Sequence, residues 1–142
     1  MEVAVRRLGP GDEEAVQAAR SLFDAAPDPQ ATRRFLAAPT HHLLVAYDGG
    51  DTPVGFVSGV ELTHPDKGTE MFLYELGVDE SARRRGVGAR LVQALAELAR
   101  EQGCYDMWAL ADADNAAAQA TYARAGGREA SRPVLLEWLF EG

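Results

Sequence analysis

Three adjacent arginines run into two alternate glycines at Arg83-Arg84-Arg85-Gly86-Val87-Gly88, just ahead of a helical pattern. Guanidinium groups make charge-assisted, forked hydrogen bonds to anionic oxygens. A helix opening near Gly86 adds unpaired first-turn amide hydrogens and the positive end of its dipole. Gly86 and Gly88 carry no Cβ, so the main chain can approach an anion closely. The chemistry this favours is capture of a phosphate or pyrophosphate. Neither the GxxxxGK[ST] loop nor the GxGxxG fingerprint of dinucleotide binding is present. A solvated surface turn is the competing explanation for such a triplet, and position at a strand-to-helix transition weighs against it.

The elements that must position these residues follow from periodicity. VAVRRL at 3–8 alternates as a first strand, GPGD breaks it, and EEAVQAARSLFDAA has helical spacing at Val16, Ala19, Leu22 and Phe23. PDPQATRRFLAA predicts a second helix, with Asp28 as cap and Pro29 in its first turn. HHLLVAY and VGFVSGVEL are strands joined as a hairpin through DGGDTP, and THPDKGTE at 63–70 reads as a polar loop. MFLYELGV is a strand ending at the arginine segment; alternation puts Met71, Leu73, Glu75 and Gly77 on one of its faces. Val87, Leu91, Leu95 and Leu98 predict a helix over 87–102 that stops at Gly103. CYDMWAL is a further strand, DADN supplies caps, AAAQATYARA is a helix ended by Gly126-Gly127, and RPVLLEWLF is a last strand. Helices between strands predict a mixed α/β sheet covered on both faces.

A length of 142 residues suits one domain over 1–142, which buries about 68–70% of its unfolded surface. The net charge of -8, from 14 Lys+Arg against 22 Asp+Glu, argues against a general nucleic-acid surface. It suits attraction of a cationic small molecule, or simply solubility. No window approaches the ~18 apolar residues of a membrane helix, and no leader peptide is recognisable, so a cytoplasmic protein with no membrane partner is expected. Cys104 is the single cysteine and cannot form an internal disulfide.

The chain resembles the GCN5-related N-acetyltransferases, which use acetyl-coenzyme A. Arg83-Arg84-Arg85-Gly86-Val87-Gly88 matches that family's motif of Arg or Gln, two residues, Gly, one residue, then Gly or Ala. LGV at 76–78 is similar to the strand that contacts the pantetheine arm, and GCYDMWALADADNAAAQATYARAGGRE carries the characteristic Asn115 and Tyr122. Within the superfamily, YELGVDESARRRGVG and the segments after it are most similar to aminoglycoside 3-N-acetyltransferases. Glu75 stands where that group commonly has aspartate, Thr121 where it has leucine, and the N-terminal half is shorter.

The resemblance implies a mostly antiparallel, twisted sheet flanked by helices, with a cofactor cleft where the fourth and fifth strands splay. It implies that acetyl-CoA is held by Leu76, Gly77 and Val78 along its pantetheine arm. Its pyrophosphate falls to Arg83, Arg84, Arg85, Gly86, Val87, Gly88 and Ala89. It also implies Glu75 as general base for an amine, Tyr122 as general acid for the leaving thiolate, and Asn115 as a pantetheine contact. Asn115 and Tyr122, seven apart, project in nearly the same direction roughly 10 Å apart along a helix. A structural hydrogen bond for Glu75 and simple packing for Tyr122 are the alternatives.

Other candidates recede. Asp112 and Asp114 suit N-capping better than metal, so no metal is expected. His41 and His42 point to opposite faces, His64 has no linked motif, and Trp108 and Trp138 suit a core or a subunit contact. Asp24 and its acidic neighbours in the N-terminal helices are candidates for lining the amine side. The reading that results is acetyl transfer to a primary amine, with an aminoglycoside first, another small or peptide amine second, and a noncatalytic acetyl-CoA sensor third. A homodimer, with the final strand contributing, is left open.

Overall fold

The alternating apolar runs become five strands that hydrogen-bond in sequence order, β1-β2-β3-β4-β5. The computed structural model describes residues 2–140. Along the chain these are β1 (Val3–Leu8), α1 (Glu13–Ala18), α2 (Pro29–Ala37), β2 (His41–Asp48), β3 (Pro53–His64), β4 (Gly68–Val78), α3 (Val87–Glu101), β5 (Asp106–Ala109) and α4 (Ala116–Arg124). The first four strands pair antiparallel and β5 pairs parallel to β4. This is the mostly antiparallel mixed sheet that the motif resemblance implied.

Helices cover both faces. α3 lies on one face, where Leu91 and Leu95 are fully buried with Val57, Met71 and Leu73. Gly55 and Gly59 make this close approach feasible. A Cβ on either would come within 3.0 Å of a leucine side-chain carbon of α3. On the opposite face α1 and α2 enclose a second cluster through Val16, Leu36, Leu43, Val45 and Phe56. Asp28 caps α2 as expected, accepting from the Ala31 amide at 2.7 Å, with Pro29 in the first turn.

Four expectations change. The first predicted helix stops at Ala18: the Ala19 amide is shared between the Ala15 and Val16 carbonyls, and the chain tightens into a 3₁₀ turn over Arg20–Leu22. The turn delivers Phe23 onto the Phe56 ring, 4.6 Å between centroids. Residues 63–70 are mostly strand rather than loop, because Thr63↔Thr69 and His64↔Gly68 pair across a tight hairpin. Asn115, and not Asp112 or Asp114, caps α4, accepting from the Ala118 amide at 3.0 Å. Finally, RPVLLEWLF forms no strand. Its side chains meet no neighbouring strand of the same chain, and every residue from Val134 to Phe140 is exposed.

The histidines have structural partners. His42 is buried between the Arg7 guanidinium, 2.9 Å away, and Glu61, 2.6 Å away, while His64 pairs with Glu70. No helix among the described residues is long and apolar enough to cross a membrane.

Candidate functional site

β4 and β5 pair only from Glu70↔Asp106 to Leu73↔Ala109. Beyond that point β5 ends, while β4 runs on to Val78, still paired to β3 on its other side. Residues 74–78 therefore present an edge whose amides and carbonyls on the β5 side have no strand partner, at a depth where both helical layers flank it. Such an edge can take an extended ligand by main-chain hydrogen bonding.

A bulge at the same point decides which way the side chains face. Ser58 pairs with Glu75 but Gly59 pairs with Leu73, so Tyr74 is an extra residue in β4. Strict alternation put Met71, Leu73, Glu75 and Gly77 on one face. In the structure Met71 and Leu73 are packed in the α3 cluster together with Leu76 and Val78. Tyr74 and Glu75 turn to the α1–α2 face, and a Cβ on Gly77 would strike the Phe56 ring. The bulge thus takes the Glu75 carboxylate out of the α3 core and hands it to a cavity.

That cavity, of about 320 Å³, lies between α1, α2 and the sheet, with walls that include Phe23, Phe35, Phe56, Leu43, Ser58 and Glu75. Burial pushes the Glu75 carboxyl above its ordinary range, and the negative charge of Asp24 adds to the effect. Ser58, opposite Glu75 in the register, is only 6% exposed, and its hydroxyl is the one buried side-chain polar group without a hydrogen-bond partner among the described residues. Buried hydroxyls rarely stay unpaired. Sequence reading missed Ser58 because nothing in VGFVSGVEL distinguishes it until the register sets it against Glu75.

After Val78 the chain turns sharply. The Asp79 amide donates to the Val54 carbonyl at 2.8 Å, and the Asp79 carboxylate accepts from the Ser81 amide. Arg83, Arg84 and Arg85 follow, all exposed, with the Arg83 Nε donating to the Val78 carbonyl at 3.4 Å. Arg84 has φ 66° and Gly86 φ 80°. A left-handed arginine is strained by roughly 1–2 kcal/mol, and such strain clusters where backbone geometry serves a ligand. α3 begins immediately afterwards, with the Val87, Gly88 and Ala89 amides in its first turn. A Cβ added at Gly86 would meet nothing within 4 Å, so the approach to this helix end is open.

Gly88 ties the parts together. A Cβ there would lie 3.0 Å from Thr121 Cγ2 on α4, 3.6 Å from Val78 Cγ2 and 3.8 Å from Leu76 Cδ2. The helix start, the open β4 edge and α4 converge on this one residue. The neighbour of Thr121, Tyr122, packs against the α3-side cluster, and burial pushes its hydroxyl above its usual range, so that it stays protonated at neutral pH. Glu75 and Tyr122 consequently approach the β4–β5 opening from opposite faces of the sheet. Asn115 uses its Oδ1 as the α4 cap, leaving the amide nitrogen for other contacts.

Cys104 is half-buried, and burial, aided by Glu61 and Asp106, raises its thiol further from ionisation. Among the described residues no group of three or more His, Cys, Asp or Glu is arranged to hold a metal ion.

Comparison with known proteins agrees with this architecture. A family model described as acetyltransferase (GNAT) family matches residues 13–127. An L-2,4-diaminobutyric acid acetyltransferase of Streptomyces coelicolor is 34% identical over 97 residues. The match spans 66% of this chain but only 56% of that relative's length. Among solved structures, aminoglycoside acetyltransferase meta-AAC0020 from an uncultured soil metagenomic sample, in complex with sisomicin, superimposes with TM-score 0.89 at 19% identity, covering 98% and 97% of the two chains. Aminoglycoside acetyltransferase HMB0005, also from an uncultured soil metagenomic sample, does so with TM-score 0.80 at 26% identity, covering 97% and 99%.

Proposed function

Because the chain belongs to the acetyltransferase (GNAT) family, we propose that it transfers acetyl from acetyl-CoA to a primary amine held beside Glu75. The observation that carries this reading is the parting of β4 from β5 beyond Leu73 and Ala109, which leaves an open strand edge leading straight to the start of α3. The residues present fit the cosubstrate. Leu76, Gly77 and Val78 offer main-chain partners to its pantetheine arm. The amides of Val87, Gly88 and Ala89, with Arg83, Arg84 and Arg85, suit its diphosphate. When bound, it supplies an activated acetyl thioester.

The side chains do the proton work. An ammonium has no lone pair, so the acceptor must be deprotonated first. Glu75, with its carboxyl shifted upward toward neutrality, takes that proton directly or through water. A main-chain amide of Leu76 or Val78 stabilises negative charge on the acyl oxygen. Tyr122, protonated at neutral pH, donates to the departing sulfur from the other side of the sheet. Proton uptake from the acceptor and proton delivery to the leaving thiolate thus fall to two different residues, which reach the opening from opposite faces of the sheet. Cys104, with its raised thiol, has no part in a direct transfer.

An aminoglycoside amine is the first acceptor reading. It is supported by the motif similarity over residues 74–129, by the likeness to HMB0005 and by the net charge of -8. A smaller diamine is the second, favoured by the diaminobutyric acid acetyltransferase relative and by a cavity of about 320 Å³ with a single carboxylate in its wall. Incubation with acetyl-CoA and a panel of aminoglycosides, diamino acids and polyamines is expected to release free CoA and a mono-acetylated product. Positional NMR then separates the 3-amino group from the others. Cofactor binding without turnover on any amine would replace the enzyme by a sensor. Tyr122→Phe is expected to lower kcat by about 10²-fold or more with acetyl-CoA affinity changed less than about twofold, and an unchanged kcat removes it from the acid role.

A further inference from the structure

The walls of the cavity beside Glu75 select among amines. Phe23, Phe35 and Phe56 line it together with Val16, Leu36 and Leu43, and the Phe23 and Phe56 rings pack 4.6 Å apart between centroids. Among the described residues Glu75 is the one charged group in this wall. Two further polar wall residues, the half-buried Thr32 and the exposed Tyr74, keep contact with solvent. Ser58 does not. It is 6% exposed, it lines the cavity, and its hydroxyl has no hydrogen-bond partner among the described residues.

A buried hydroxyl of this kind needs a partner that the chain does not supply. Ser58 stands directly across the register from Glu75, and cross-strand pairs hold their Cβ atoms about 4.5–5.5 Å apart. An acceptor whose nitrogen meets the Glu75 carboxylate can therefore meet Ser58 with an oxygen carried on the carbon next to the amine-bearing one. A carboxylate in that place would stand against Glu75 and the nearby charge of Asp24, so the oxygen is an uncharged one.

Size and polarity narrow the rest of the molecule. An apolar cavity of about 150 Å³ takes a benzene ring, so one of about 320 Å³ takes roughly a dozen non-hydrogen atoms. A multi-ring aminoglycoside exceeds that, and any one of its rings would press hydroxyl and ammonium groups against phenylalanine side chains. Each such group would lose water without gaining a partner, which is costly for a hydroxyl and more so for a second charge. A diamino acid or a polyamine meets the same penalty at its second ammonium.

Within the acetyl-transfer reading, on which this rests, we propose that the acceptor is a primary monoamine with a compact aromatic or branched aliphatic body and one hydroxyl or carbonyl oxygen beside the amine-bearing carbon. The body fills the space between Phe23, Phe35 and Phe56, the nitrogen meets Glu75, and the oxygen accepts from the Ser58 hydroxyl. The thioester carbon–sulfur bond breaks as the carbon–nitrogen bond forms. Of the two protons the ammonium loses, one reaches water through Glu75 and the other balances the one that Tyr122 delivers to the CoA sulfur.

The test compares phenylalaninol, phenethylamine, phenylalanine, spermidine and sisomicin at saturating acetyl-CoA. Phenylalaninol should show a kcat/KM roughly three- to tenfold above phenethylamine, which lacks the oxygen, and at least about tenfold above the other three. Ser58→Ala should erase the preference for phenylalaninol over phenethylamine, an effect that a merely structural serine would not have. Calorimetry of the same amines against the protein loaded with coenzyme A reads the cavity without turnover and should rank them in the same order. A preference for sisomicin or spermidine, or a phenylalaninol preference that survives Ser58→Ala, would overturn the proposal and leave acetyl transfer standing. Selective binding of phenylalaninol with no amine acetylated would instead sink the transfer reading while upholding the class of ligand the cavity takes.

Discussion

Glu75 and Ser58 face each other across β3 and β4, and their environments make predictions of opposite character. Burial and Asp24 raise the Glu75 carboxyl, so the acid limb of kcat/KM is expected to fall at a pH above the ~4.3 of an ordinary glutamate. Glu75→Gln should abolish that limb and lower kcat/KM by about 10²-fold or more. Its effect on stability has the other sign. A carboxyl raised in the folded state contributes stability that is present below the unfolded pKa and lost as pH rises through the folded one. Ionised Glu75 therefore costs stability at pH 7, and Glu75→Gln should melt higher than the parent there, with the gap closing toward pH 4. Thermal melts at the two pH values check this, and equal melting temperatures throughout would refute the buried charge. Ser58→Ala removes an unpaired buried hydroxyl and should stabilise the fold by roughly 1 kcal/mol while raising the acceptor KM. An acceptor KM left unchanged would return Ser58 to a purely structural place. Little of this could be read from residue types. Glu75 was accessible through its neighbourhood to the LGV segment, but Ser58 acquires meaning only from pairing.

At the scale of elements, alternation and helical spacing in the sequence were enough to recover β1, α2, β2, β3, α3, β5 and α4 with nearly their observed bounds. Local patterns are strong there because each run carries its own apolar periodicity between glycine, proline or capping residues. The failures have a common cause. The bulge at Tyr74, the break after Ala18 and the strand pairing over 63–70 depend on partners distant in sequence, which a window of residues does not contain. At the C-terminus the alternating pattern predicts a strand over RPVLLEWLF, and the structure forms none there, because no neighbouring strand of the same chain lies beside it. Gly88 shows the same dependence. The family motif marked it as a place for close ligand approach, whereas its tightest constraint is Thr121 Cγ2 at 3.0 Å. Gly88→Ala is accordingly expected to push α4 by a few tenths of an ångström, lowering kcat more than about tenfold because Tyr122 moves with it. Thr121→Ser, which deletes that methyl, should restore most of the loss in the double variant. Failure of the rescue, measured by kcat alongside melting temperature, would separate Gly88 from α4 and leave it a cofactor contact alone.

For the whole molecule, the net charge of -8 and the exposed Arg83-Arg84-Arg85 cluster act on the two substrates in opposite senses. A cationic amine approaching an acidic protein is attracted over a distance of about a Debye length, ~30 Å at 0.01 M salt and ~8 Å at 0.15 M. Screening removes that attraction, so the KM of a polycationic acceptor is expected to rise several-fold between those salt concentrations. Acetyl-CoA is an anion and meets repulsion from the protein as a whole but attraction at the start of α3, where the arginines and the first-turn amides sit within contact range. Short-range contacts are screened less than the long-range field, so its KM should change little over the same interval. The comparison is decisive because both constants are measured on the same protein across one buffer series, each by varying its own substrate. A neutral-bodied monoamine supplies the control, since with a single charge its salt slope should be much shallower than that of a polyamine. If the polycation and the monoamine respond alike, the acidic surface serves solubility and the acceptor is selected only after it reaches the Glu75 cavity.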